Sequence, residues 1–315
     1  MATSGVTTFT LTETDVIQDS LESIGAYAAG ETIDSADYAM ARRKLNMIVK
    51  QWMGTTDYAP GLKLWSRKRG YLFLQTGQSV YTLGPTGSHA TSSYISTTIS
   101  AAEASGQTVI SLTSITGMAD NDYIGIELDS GALHWTQING TPSAGTATID
   151  VALTGDAAAG NKVYVYTTKV RKPQEVITAV LRDNNGQDTP FDPFMSVEEY
   201  EAIADKGADG DPSGWYFEDG ISNATVYLDR EPDDITKVIR FVFLSPIEDF
   251  TTTTDTVDYP QQWYRPLCAQ LMLDCAPAFE KSVKPEWINQ RNEALQIARN
   301  ANPETCDVYY QPGLD

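Results

Sequence analysis

Apolar residues follow two rhythms along this chain. Near both ends they recur every three or four positions; in the middle they alternate or run in short blocks. Ile17, Leu21, Ile24 and Ala28 form one stripe, with Thr12 or Thr14 as cap, Asp15 at the positive end of the helix dipole and Gly30 as the stop. That pattern predicts a helix over 13–28. A second is predicted over 34–53, capped by Asp34 or Ser35, seamed by Tyr38, Ala41, Leu45, Ile48 and Trp52, and stopped by Gly54. Two helices joined by so short a loop are expected to pack antiparallel. A third is predicted over 260–280, opened by Asp258-Tyr-Pro260, with Trp263, Leu267, Leu271 and Cys275 on one face and Pro277 to kink or end it. Pro285 opens a fourth over 285–301 that carries Trp287, Ile288, Ala294, Leu295 and Ala298. Residues 302–315 have no period and read as a tail.

Between the helices the pattern is β-like. Tyr71 with Phe73, and Val80 to Leu83, predict two short strands around Thr76-Gly77-Gln78, with Gly84-Pro85 closing the pair. Glu175 to Leu181 is strand-like, and Asn185-Gly186 is a hairpin turn signal. Ser196 and Glu199 match a capping box for one short helix ending before Gly207. Strands follow at Trp215–Phe217, Thr225–Leu228 and Lys237–Leu244, the last nearly all apolar and therefore central.

The stretch 87–168 differs from its surroundings: Ser/Thr/Ala/Gly-rich, with Lys162 as the sole Lys or Arg against seven acids. Gly106 to Leu112, Thr116-Gly117 and Tyr123 to Ile126 are answered by Gly145 to Val151, Thr154-Gly155 and Lys162 to Val165. Nearly every matched pair lies 39 apart, as in Ile110 with Ile149, Leu112 with Val151, Ile124 with Val163 and Ile126 with Val165. The fold class expected is α+β: a helical bundle made by both termini beside a small β domain, with an inserted all-β, sandwich- or barrel-like module containing a tandem repeat. Residues 1–86 plus 169–301 form the host, 87–168 the insert and 302–315 the tail. The insert reads as a peripheral decoration whose deletion spares the host fold.

At 315 residues, 41% hydrophobic, the chain can bury two cores, and its formal charge of −20 opposes binding built on phosphate neutralisation or on anionic membranes. Met1 to Thr10 holds neither a basic nor an apolar run, so no export signal is expected, and no apolar stretch is long enough to span a bilayer. Cys268 and Cys275, seven apart, read as buried thiols on one helix face, and the chain as made in a reducing cytoplasm.

Reactive constellations are sparse, and the expectation is a non-enzymatic protein without cofactor or metal. His89 and His134 read as surface or turn residues. Asp183–Asp188 and Asp205–Asp211 resemble calcium loops but carry Phe194 and Tyr216 where the acidic twelfth ligand belongs, so both read as turns. Glu198, Glu199 and Glu201 read as a solvated helix face. Arg67, Lys68 and Arg69, and Lys169 with Arg171 and Lys172, bracket the insert, either as solubilising strand ends or as one positive patch that meets an acidic partner or grazes DNA. Tyr123, Trp135, Tyr164 and Tyr166 offer stacking faces for a glycan, which supports an alternative reading as a carbohydrate-binding or adhesion protein.

Outside the insert, Thr14 to Gly25, Gly30 to Asp37, Leu45 to Trp52, Gly77-Gln78 with Tyr81 to Gly84, Pro212 to Tyr216, Val226 to Leu228 and Tyr259 to Tyr264 occur in an order and spacing that resembles the head-to-tail adaptors of short-tailed bacteriophages, the group related to tail tubular protein A. They are spread over about 230 residues. The resemblance implies a homo-oligomeric ring of twelve in the virion, beneath the portal protein and above the tail nozzle protein, with tail fibres as a further contact and genome DNA passing through without specific binding. It also implies a C-terminal arm that docks in the portal; here that arm is Asn302 to Asp315, with Tyr309, Tyr310 and Pro312 as anchors.

Overall fold

A computed structural model describes residues 5–54, 65–191 and 195–301. They form a mixed α/β protein with five α-helices and several antiparallel sheets, in which no barrel closes. Two compact units divide the chain, Met1–Ser66 with Ile247–Asp315, and Arg67–Pro246.

The first unit is helical. Helix α1 (Glu13–Ser23) starts at Thr12, whose hydroxyl accepts from Asp15 N while the Asp15 carboxylate accepts from Thr12 N, a reciprocal capping box. It stops five residues before the expected end, because Gly25 takes φ +68° and turns the chain, its own N–H donating to Glu22 O. Ile24 is still buried just past the helix, whereas Ala28 lies exposed in the loop. Helix α2 (Ser35–Gly54) follows, with Asp34 Oδ1 accepting from Ala36 N.

From the other end come α4 (Tyr264–Cys275), preceded by a 3-10 turn at Gln261–Trp263, and α5 (Pro285–Asn300). Pro277 does end α4, which passes into a second 3-10 turn, Ala276–Phe279. Helix α4 packs against α1, α2 and α5, so Leu267 and Leu271 meet Ile17, Leu21, Leu45 and Ile48 in one core. Trp263 is fully buried there, edge-on to Trp52 at 5.8 Å. The N-terminal segment is pinned to the chain before α4: Thr12 bridges Thr256, and Glu13 N donates to Asp255 O.

The second unit is β-rich. Its five-stranded sheet runs β11 (Asp188–Pro190), β10 (Glu175–Arg182), β14 (Val238–Leu244), β1 (Arg67–Phe73), β3 (Ala90–Thr91), all antiparallel, and the apolar β14 is central as its composition predicts. The Asn185-Gly186 turn joins β10 to β11, and the capping box of Ser196 opens α3 (Val197–Glu201). Strand β2 (Val80–Leu83) does not pair with β1. Both edges of β1 are taken by β14 and β3, and β2 instead joins β13 (Ala224–Leu228) and β12 (Trp215–Glu218) in a separate three-stranded sheet. The two sheets bury Leu72, Tyr81, Leu83, Trp215, Val226 and Phe241 between them. Gly70 is required at this contact, since a Cβ there would strike the Phe241 ring.

The stretch after β3 forms an open four-stranded sheet, β4 (Ile95–Thr98), β9 (Lys162–Tyr166), β6 (Tyr123–Glu127), β7 (Leu133–Gln137), and a small pair, β5 (Val109–Ser111) with β8 (Thr146–Thr148). Ile110, Ile124, Ile126, Ile149, Val163 and Val165 fill their shared core, while Val151, matched with buried Leu112 in the sequence, is exposed. The boundary expected at residue 87 falls before β3, a strand of the host sheet, so the excursion begins beyond Thr91.

Within the helical unit, the Glu13 carboxylate is fully buried and bonded to Arg42 Nε at 2.6 Å, tying α1 to α2. Arg42→Met is expected to destabilise the protein by about 2–3 kcal/mol, the low side of the cost of stranding a buried carboxylate, because the guanidinium is partly solvated. Adding Glu13→Gln should recover most of that loss. Denaturant titration of the single and double variants checks both.

Candidate functional site

Strand β1 has two working faces. Leu72 points to the core between the two host sheets; Tyr71 and Phe73, on the opposite face, point to the inserted sheet. Phe73 is 1% exposed and touches the rings of Tyr94, Trp135, Tyr164 and Tyr166 at centroid distances of 4.9–6.0 Å. Ile235 and Val238 of the host join the same cluster. Tyr164 and Tyr166 are 3% exposed, and Tyr123 stacks on Tyr166 at 5.0 Å. The aromatic faces expected to be open to a glycan therefore cover one another and the host sheet.

His89, in the bend before β3, sits half-buried at the edge of this junction. Its ring stacks on Trp135 at 3.9 Å and 5°, and its Nδ1 shares a 2.7 Å hydrogen bond with the Tyr166 hydroxyl. Desolvation, with Lys169 nearby as a second cause, holds its pKa down at about 3, so the ring is neutral. The Lys169 ammonium lies over the Tyr123 ring and donates to Gly87 O. His134 is buried on β7, its nitrogens at 3.2 Å from Thr154 Oγ1 and 3.1 Å from Val151 O. His134 is a buried strand residue, which corrects its reading as a turn or surface group, whereas His89 does lie in the bend before β3, half-buried against the aromatic junction.

The basic residues around the insert meet different fates. Arg67, Lys68 and Arg69 are exposed on the first half of β1. Arg67 lies in register with Leu244, and Arg171 donates to Pro246 O, so these two converge on the C-terminal end of β14. Lys172 is held by Asp219 at 2.5 Å and by Gly220 O. In the calcium-like loops, Asp183 Oδ1 accepts from Asn185 N and Gln187 N, Asp188 pairs with Arg182 and Arg240, and Asp211 pairs with Lys237. Glu199 closes the α3 capping box, and Glu198 and Glu201 are exposed. Burial pushes the Cys268 thiol up to about 12 and Cys275 to about 11, which leaves them un-nucleophilic. Tyr309, Tyr310 and Pro312 lie outside the described residues.

Two grooves open on the helical unit. One, of about 630 Å³, runs between α1, α4 and α5, walled by Asp19, Glu22, Arg265, Met272 and Trp287. The other, of about 640 Å³, lies along α2 and is lined by Arg42, Arg43, Met47, Lys50 and Asp249 over the buried Phe250. No residue lines both. Sequence reading missed them, although Asp15, Asp19 and Glu22 on α1, and Arg43 and Lys50 either side of Met47 on α2, are spaced along one helix face each. Set against known protein families, curated proteins and solved structures, the chain matches none.

Phe73→Ala is expected to cost about 3–5 kcal/mol, as large-to-small changes in a packed aromatic core do. Removal of residues 92–168 should leave the β1 face bare and yield aggregated protein, contrary to the sequence expectation; soluble, cooperatively folding host would sink this. The half-buried His89 adds a pH dependence. The unfolded chain takes up the histidine proton below its ordinary value of 6.5, but the folded chain does so only near 3, so stability is complete above about 6.5 and drains as pH falls towards 3. His89→Phe keeps the stack and should flatten that descent in unfolding curves between those limits; parallel curves would contradict it.

Proposed function

We propose that this chain is a non-enzymatic structural connector, a ring-forming head-to-tail adaptor of a short-tailed bacteriophage. It binds beneath the portal, extends the DNA channel and seats the tail nozzle. The observation that carries the reading is the helical unit itself: both ends of the chain build a single core around α4, and the whole β unit is a closed excursion between Arg67 and Pro246. Such a unit presents a solvent-facing helical body with outer faces left for neighbours, and the order of the motifs along α1, α2 and the start of α4 agrees with the adaptor pattern.

Charge supports the same role. Copies carrying −20 each, arranged around a bore, repel DNA phosphate and let the genome pass without specific binding. The arm that reaches the portal is residues 302–315, anchored by Tyr309, Tyr310 and Pro312, aromatic and rigid groups that bury area at low entropic cost. Exposed Arg67, Lys68 and Arg69 remain a basic strand end for an acidic partner or passing DNA.

Electron microscopy of the full chain mixed with its cognate portal tests this. The expected result is a ring, twelve-fold, seated on the portal. Truncation after Ala301 is expected to keep the ring and abolish portal binding. A protein that stays monomeric with and without portal would overturn the proposal.

A further inference from the structure

The two grooves of the helical unit differ in chemistry in a way that matches them to each other. The α2 groove holds three cations, Arg42, Arg43 and Lys50, against one acid, Asp249, and its centre is apolar: Met47 is 58% exposed. Arg42 is committed to Glu13 and Lys50 to Asp249, but Arg43 is exposed and has no ion-pair partner among the described residues. The α1–α4–α5 groove holds Asp19 and Glu22 against one cation, Arg265, and its wall includes the half-buried ring of Trp287 beside Met272. Asp19 is likewise exposed and unpaired among the described residues.

We infer that the α2 groove of one copy of this chain seats on the α1–α4–α5 groove of the next, with Arg43 meeting Asp19 and Met47 entering beside Trp287. This rests on the connector reading above and supplies the contact by which copies would join. The pairing is heterologous: each subunit offers two unlike surfaces, which repeat head to tail and form a ring where the rotation per subunit closes, or a filament where it does not, whereas a self-complementary patch stops at a dimer. A flexible thioether against an indole is a favourable and adaptable contact. A guanidinium in the acidic groove also relieves a strain of the isolated chain. The Asp19 carboxyl is raised from its ordinary value by partial desolvation in the groove and by the Glu22 and Asp15 carboxylates along the same helix.

Charge reversal gives a test in which failure has a single meaning. Asp19→Arg and Arg43→Glu each place like charges across every contact. Among the described residues neither side chain makes a hydrogen bond or ion pair that the substitution would break, and a cation at position 19, in the second half of α1, suits the helix dipole. Light scattering of the full chain is expected to give rings for wild type, and assembly weakened roughly 100-fold for each single variant. An equimolar mixture of the two variants should assemble again. Alternating subunits then set the introduced arginine of one against the introduced glutamate of the next, and leave the wild-type pair at the other contact. Thermal melting of each variant alone checks that it is folded. Single variants that assemble like wild type, or folded variants whose mixture fails to assemble, would overturn the pairing while the ring itself stands. A wild-type chain that never assembles would remove both.

Discussion

Helix α4 cannot be buried by its neighbours in sequence. Its apolar residues cover most of its circumference, with Leu267, Leu271, Met272 and Cys275 all below one-tenth exposed, and α5 covers one side only. Much of its remaining apolar surface is covered by α1 and α2, more than 200 residues earlier in the chain. Hydrophobic burial therefore forces the two ends of the chain together, at a cost in loop-closure entropy that grows only slowly with the length enclosed. Everything from Arg67 to Pro246 is then an excursion that must leave and return at one place. The polar faces of α1, α2 and α5 are what that core leaves outside, and both grooves lie on them.

A second constraint operates inside the β unit. Strand β1 is central enough to be covered on both faces, by Trp215, Val226 and their neighbours on one side and by the aromatic side chains of the inserted sheet on the other. The insert is therefore a layer of the β unit. Its surface composition is that of a separate module, Ser/Thr-rich and acidic, but the face that meets Phe73 is among the most aromatic surfaces in the chain. His89, neutral and stacked on Trp135, takes its properties from that layer: a polar group is accommodated because its hydrogen bond to Tyr166 survives burial.

Elements with a sustained local period were legible in the sequence. The seam of α2, the capping box at Ser196, the cap of α1 at Thr12 or Thr14, the stop at Pro277 and the Asn185-Gly186 hairpin all depend on residues a few positions apart. The end of α1 was misplaced because Ala28 continued the apolar stripe, whereas Gly25 at a left-handed φ had already turned the chain. The pairing of β1 was misread because proximity favours β2, but its true partner β14 lies some 170 residues on, and no local signal records such a register. The stacking of His89 on Trp135 was hidden for the same reason: the two are 46 residues apart. One groove needed three helices to converge and the other a distant loop at Asp249 to close over α2, so only part of each was visible on a single helix face.

The central claim is that this helical unit joins copies of itself through two unlike faces. Native mass spectrometry of the full chain over a range of concentrations tests it most directly. The account predicts one closed high-order species whose stoichiometry stays fixed as concentration rises, and which gives way to monomer as salt screens the charged contact. A chain that remains monomeric throughout, or that saturates as a dimer, would contradict it.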